Sequence, residues 1–200
     1  SASEADWPHL WLSEGFATYL TDLYFEHRHG RDVFMARLRE ERAEVVAFAR
    51  MRRTPVVDTE VTDYNQLLNP NSYQKGAWVL HMLRRRIGDD AFRKGLRDYY
   101  EQYKFGNAST DDFRRVMEEV SGQDLEGFFR QWLFRAGHPR LAIRWKYDER
   151  AGQVEGNITQ EQSGEPFTFT LDLAVRGADG SELARETLAI DGETAAFRFP

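Results

Sequence analysis

The sequence contains no cysteine, which excludes disulfides and thiolate metal sites alike. That absence suits cytoplasm and periplasm equally, and one of these two compartments is the expectation. No apolar run approaches the roughly 20 residues that a membrane-spanning helix requires. Lys and Arg together number 27 against 33 Asp and Glu, for a net charge of −6. Such a balance argues against nucleic acid or an anionic membrane as a main partner, since both would be repelled. Histidine is sparse too: there are five, no two spaced i, i+4 on one helix, and no H-E-x-x-H. His27 and His29 point to different sides of a helix and suit its C-terminus, where cations offset the dipole. His9 reads as a surface or capping residue, and His138, in a Gly-His-Pro turn, as structural. The opening SASEADW has neither an initiating Met nor a signal-peptide pattern. An apolar stretch begins already at Leu10, so the expectation is a piece of a longer protein.

What is present is organised around WPHLWLSEGFATYL, Trp7 to Leu20. From Leu10 onward nearly every residue is apolar or small, and Leu23, Tyr24 and Phe25 continue the trend. A helix that is apolar all round is a buried helix. Glu14, flanked three and four residues away by Leu10, Trp11, Ala17 and Thr18, is therefore expected to point into an apolar face. An unpaired carboxylate there costs several kcal/mol or takes up a proton. Two readings follow: a structural ion pair with an arginine from elsewhere, or a metal ligand, since glutamate serves as the carboxylate of two-His, one-Glu zinc sites.

Tyr73 is the second residue of interest. It opens a helix and is followed by Gln74, Lys75 and the small pair Gly76-Ala77, which permits close approach of another element. A tyrosine so placed is either core with its hydroxyl at the rim or a fixed donor to negative charge developing on oxygen. The latter is worth about 2.7–4 kcal/mol in well-placed cases. Arg84-Arg85-Arg86 reads as a solvated helix end that compensates the dipole.

Helical signals run to about Gly137. The first helix closes at Gly30. Asp32 is expected to cap a second, in which Phe34, Leu38, Val45 and Phe48 face inward while Arg39, Glu40, Glu41 and Arg42 face water. Thr54-Pro55 breaks it, and an irregular segment leads to Pro70. Asn69 to Ser72 opens a third helix, Asp89 caps a fourth, Ser109 to Asp112 starts a fifth and Asp124 a sixth. Short connections imply an antiparallel array. After Pro139 the period changes from 3.6 to 2; Phe167, Phe169, Leu171, Leu173 and Val175 are the clearest run. The expected class is α+β: residues 1–138 an N-terminal antiparallel helical array, residues 139–200 a small antiparallel β-sandwich that is complete or partial.

WLSEGFATYL, then NSYQKGAWVLHMLR, then DLEGFFRQWLFRAGHP resemble, in the same order, motifs of the aminopeptidase N-like zinc metallopeptidases, the gluzincins. The resemblance covers Trp7 to Tyr147, and the strands beyond look like that family's β-sandwich. It implies the second half of a thermolysin-like catalytic domain, hydrolysing N-terminal residues from peptides by metal-activated water. Glu14 falls on the family's zinc-binding glutamate, with Ser13 where asparagine is usual. Tyr73 falls on the tyrosine that stabilises the tetrahedral oxyanion. The two histidine ligands, the general-base glutamate and the loop that binds the substrate's amino group would precede Ser1. The resemblance therefore implies zinc in the full-length parent, little or none bound by these residues alone, and no peptidase activity from them in isolation. A surface left by the absent half is expected to favour dimerisation. The rival reading is a non-catalytic helical and β-sandwich binding module derived from the same fold.

Overall fold

The computed structural model describes residues 3–199, and the chain divides between Gly137 and His138 into two units of an α+β protein. The first unit holds α1 (Trp11–His29), α2 (Arg31–Met51), α3 (Gly76–Ile87), α4 (Asp89–Tyr103), α5 (Thr110–Ser121) and α6 (Glu126–Leu133). Gly30 alone separates α1 from α2, and Gly88 alone separates α3 from α4; both have φ of +87°. At that backbone angle a side chain is strained, so glycine makes each one-residue link. Gly30 and Gly88 thus occupy the cap positions assigned from sequence to Asp32 and Asp89. The two aspartates fall in the first turn instead, where their charge still meets the positive end of the helix dipole. The fifth helix starts as expected, with a reciprocal Ser109–Asp112 capping box. Its two bonds satisfy N–H groups that the helix itself leaves unpaired.

Two expectations about helix faces need correction. Although α1 is apolar nearly all round, it buries one face only: Trp11, Leu12, Gly15, Tyr19 and Asp22. Leu20 and Tyr24 are 49% and 59% exposed, and Ala17 is exposed as well. In α2, Glu41 does not face water but is 7% exposed. It lies on the stripe Phe34, Leu38, Glu41, Val45, whose 4-3-4 spacing puts all four side chains on the buried side. The core of this unit is rich in fully buried rings: Trp11, Tyr19, Phe34, Phe92, Phe113 and Phe129. Phe113 stands edge-on to Phe16 and Tyr99 at centroid distances of 5.1 and 5.0 Å. Each such pair contributes about 0.5–1.5 kcal/mol beyond area burial. A short parallel pair, β1 (Ser3–Glu4) on β2 (Asn107–Ala108), has no counterpart in the sequence reading.

The second unit contains β3 (Leu141–Asp148), β4 (Gln153–Gln160), β5 (Phe169–Arg176), β6 (Glu182–Ile190) and β7 (Thr194–Phe199). One antiparallel sheet has the order β3-β4-β7, and β5 pairs with β6 in a second. Ile158, Ile190, Phe197 and Phe199 form its core, packed by Phe169, Leu171, Leu173 and Val175. That is the period-2 run turned inward. Gln160, 4% exposed, accepts from Phe167 N at 2.9 Å and donates to Phe167 O at 2.8 Å and Gly192 O at 2.9 Å. One side-chain amide thus satisfies three backbone groups where strand pairing is interrupted.

Candidate active site

Glu14 lies in the first turn of α1, and the next residue is its closest point to another element. A Cβ built on Gly15 would lie 3.0 Å from Gly76 Cα and 3.2 Å from Ser72 O; one on Gly76 would lie 3.1 Å from Gly15 Cα. The two backbones are in direct contact, an approach only glycine permits on both sides. This contact brings Glu14 beside Tyr73.

Tyr73 does not open an ordinary α-helix. Residues Asn71–Lys75 form a π-helical turn before α3, in which Lys75 N donates to Pro70 O at 2.9 Å and Gly76 N to Asn71 O. Single π-turns are wider than α-helix and need support from outside. Three buried polar side chains supply it. Asn71, 3% exposed, donates to Thr54 O at 2.9 Å and Pro55 O at 3.3 Å. Ser72 donates to Leu67 O at 2.6 Å. Lys75, 5% exposed, donates from Nζ to Gly137 O at 2.9 Å. Sequence reasoning took this polar run for a helix start and missed its anchoring role; the signal was Asn, Ser and Lys interleaved with Tyr73 directly before an apolar helix.

The Tyr73 phenol lies beside the Glu14 carboxylate, and its pKa is pushed above the usual tyrosine value by burial first, then by the negative charge of Glu14 and the carboxylate's pull on the phenol proton. Glu14 itself is half-buried rather than sunk in apolar surroundings. Beside it stands the phenol of Tyr73. Next to it, Ser13 donates to the Glu4 carboxylate, and the exposed rings of Trp7 and Tyr64 stack at 5.6 Å.

Among the described residues, no three His, Cys, Asp or Glu side chains are grouped so as to hold a metal ion. Glu14 offers one carboxylate where a catalytic zinc takes three protein ligands, so the side chains present do not by themselves fit the metal. The histidines are placed accordingly. His9 Nδ1 lies 2.8 Å from Thr110 Oγ1, which also accepts from Trp11 Nε1 at 2.9 Å. His81 lies 3.1 Å from the Tyr19 hydroxyl, and burial pushes its pKa down to about 4, leaving the ring neutral. His27 and His29 are exposed in the last turn of α1. No helix among the described residues is long and apolar enough to cross a membrane.

The sequence profile of the peptidase family M1 domain matches residues 2–132. Aminopeptidase M1-C of Oryza sativa subsp. japonica is 28% identical over 143 residues, covering 70% of this chain and 16% of that protein. Among solved structures, Legionella pneumophila aminopeptidase A in complex with aspartic acid superposes with a TM-score of 0.76. It does so at 22% identity over 98% of this chain and 22% of that one, a likeness of fold. A variant M1 zinc metallopeptidase from Deinococcus radiodurans, bound to a Tyr-Ser-Ala substrate, gives a TM-score of 0.56. Its identity is 26% over 68% of this chain and 30% of that one. The chain spans between 16% and 30% of the length of these relatives.

Proposed function

This chain belongs to peptidase family M1, and from that membership we propose that it forms part of a zinc-dependent aminopeptidase in which Glu14 is a metal ligand and Tyr73 a catalytic donor. The observation that carries the reading is the placement of the Tyr73 phenol beside the Glu14 carboxylate, close enough for the carboxylate to act on it electrostatically, next to a glycine–glycine backbone contact. A residue that holds the metal and a donor to the developing oxyanion must flank one reacting centre, and α1 and the π-turn set Glu14 and Tyr73 side by side.

Zinc, when bound, would supply the Lewis acidity that peptide hydrolysis uses. The residues of this chain do the rest of what is assigned to it. Glu14 would be the one residue of this chain that helps to hold the metal. Tyr73, kept protonated by burial, donates its hydroxyl to the scissile carbonyl oxygen as negative charge grows there. The remaining ligands and the general base are assigned to sequence outside these 200 residues, and the substrate to peptides with a free N-terminus. Exposed Leu20 and Tyr24 on α1 offer an apolar surface through which the isolated chain would self-associate.

The test is metal content. In the longer protein that this reading requires, Glu14→Gln is expected to lose zinc by elemental analysis while Tyr73→Phe retains it. Full zinc occupancy in Glu14→Gln would overturn the ligand assignment.

A further inference from the structure

We propose that Lys75 is a positioning residue for Tyr73: by tying the far end of the π-turn to the Gly137 carbonyl, it sets where the phenol stands against Glu14. The catalytic meaning of that placement rests on the proposed role of Tyr73, but the placement itself does not.

The side chain is hard to explain as a source of stability. Lys75 is 5% exposed, and its ammonium donates to a carbonyl oxygen, Gly137 O, at 2.9 Å. Burial lowers its pKa to about 8, with no acidic side chain offsetting that effect. An ammonium removed from water without a counter-charge is costly, and an apolar side chain of equal length would fill the same space more cheaply. What the ammonium does supply is reach and direction. Asn71 and Ser72 hold the turn on the side that precedes Tyr73, through Thr54, Pro55 and Leu67. Lys75 holds it on the side that follows, from a residue 62 positions away in sequence. Its acceptor belongs to Gly137, whose φ of +89° is a backbone conformation that glycine adopts without strain. Tyr73 is thus clamped between two sets of anchors, and losing either leaves the wide turn free to relax toward ordinary α-helix.

The test uses the 200-residue chain with Lys75→Met, which keeps an unbranched chain only one atom shorter and removes the donor. Amide hydrogen exchange reads the Gly76 N–H that closes the turn on Asn71, and NMR of labelled tyrosine rings reads Tyr73, assigned through Tyr73→Phe. Expected are exchange at Gly76 faster by about 10-fold, a shifted Tyr73 ring resonance, and a melting temperature equal to or above the unmodified chain. A lowered melting temperature with Tyr73 and Gly76 unchanged would overturn the proposal, leaving Lys75 a packing residue. So would no change in any of the three. Should Lys75→Met fail to fold, Lys75→Gln, too short to reach Gly137 O, carries the same readouts. A longer protein found without zinc or activity would sink the peptidase reading while leaving these results as they are.

Discussion

Gly15 and Gly76 meet backbone to backbone: a single methyl on Gly15 would stand 3.0 Å from Gly76 Cα. The contact brings the side chains of Glu14 and Tyr73 close enough to interact electrostatically. Replacing Gly15 by Ala should improve helix propensity by up to about 1 kcal/mol. Against that stands overpacking against backbone, which costs about 1–3 kcal/mol. Overpacking wins, because Gly76 and Ser72 O cannot swing aside as a flexible side chain would. Urea unfolding of Gly15→Ala is expected to show a net loss of about 1–2 kcal/mol, together with a displaced Tyr73 ring resonance.

A second prediction concerns Glu41. Its pKa is pushed up to about 8 by burial first and then by the hydrogen bond and negative charge of Asp22; Arg37 opposes this and Glu44 adds to it. Arg37 is committed to Asp22 at 2.6 Å. Folding therefore favours protonated Glu41, whereas the unfolded chain loses that proton near 4.5. Between about pH 4.5 and 8 the unfolded state binds fewer protons, so this group's contribution to stability falls as pH rises. Glu41→Gln should flatten that slope in melting temperature and leave the protein more stable than the unmodified chain at pH 8.

Lys75 gives the opposite sign in the next window. Its pKa is about 8 when folded and 10.5 in its ordinary state. From about pH 8 to 10.5 the unfolded chain binds the extra proton, and this group's contribution to stability rises with pH. The melting temperature of Lys75→Met, followed across that range, should lack the rise.

Gln160 offers a check in the second unit. Cutting it to Ala removes its bonds to Phe167 N and O and to Gly192 O. The expected cost is about 0.5–1.5 kcal/mol for each hydrogen bond lost. Proteolysis within residues 138–200 should become faster.

Much of this was legible in the sequence because it is local. Helices and strands announce themselves by period, and the three motifs carried Glu14 and Tyr73 to attention. Failures arose where distant residues decide. Leu20 and Tyr24 are as apolar as Tyr19, and nothing local says that only Tyr19 has a neighbouring helix to pack against. Glu41 reads as a surface charge until the stripe through Phe34, Leu38 and Val45 is laid out. The π-turn hides because its supports, Thr54, Leu67 and Gly137, are far from it in the chain. The β1–β2 pair joins residues more than a hundred positions apart through two residues each, too short for any pattern.

The isolated chain provides one further check. With no group of three ligands among the described residues, calorimetric titration with zinc should show no tight one-to-one binding.

The most direct test of the central claim is turnover of an N-terminal peptide substrate by the longer zinc-loaded protein carrying Tyr73→Phe. The account predicts zinc retained, KM little changed and kcat reduced by about 10²–10³-fold, as for removal of one oxyanion donor. An unchanged kcat in the zinc-loaded variant would contradict it.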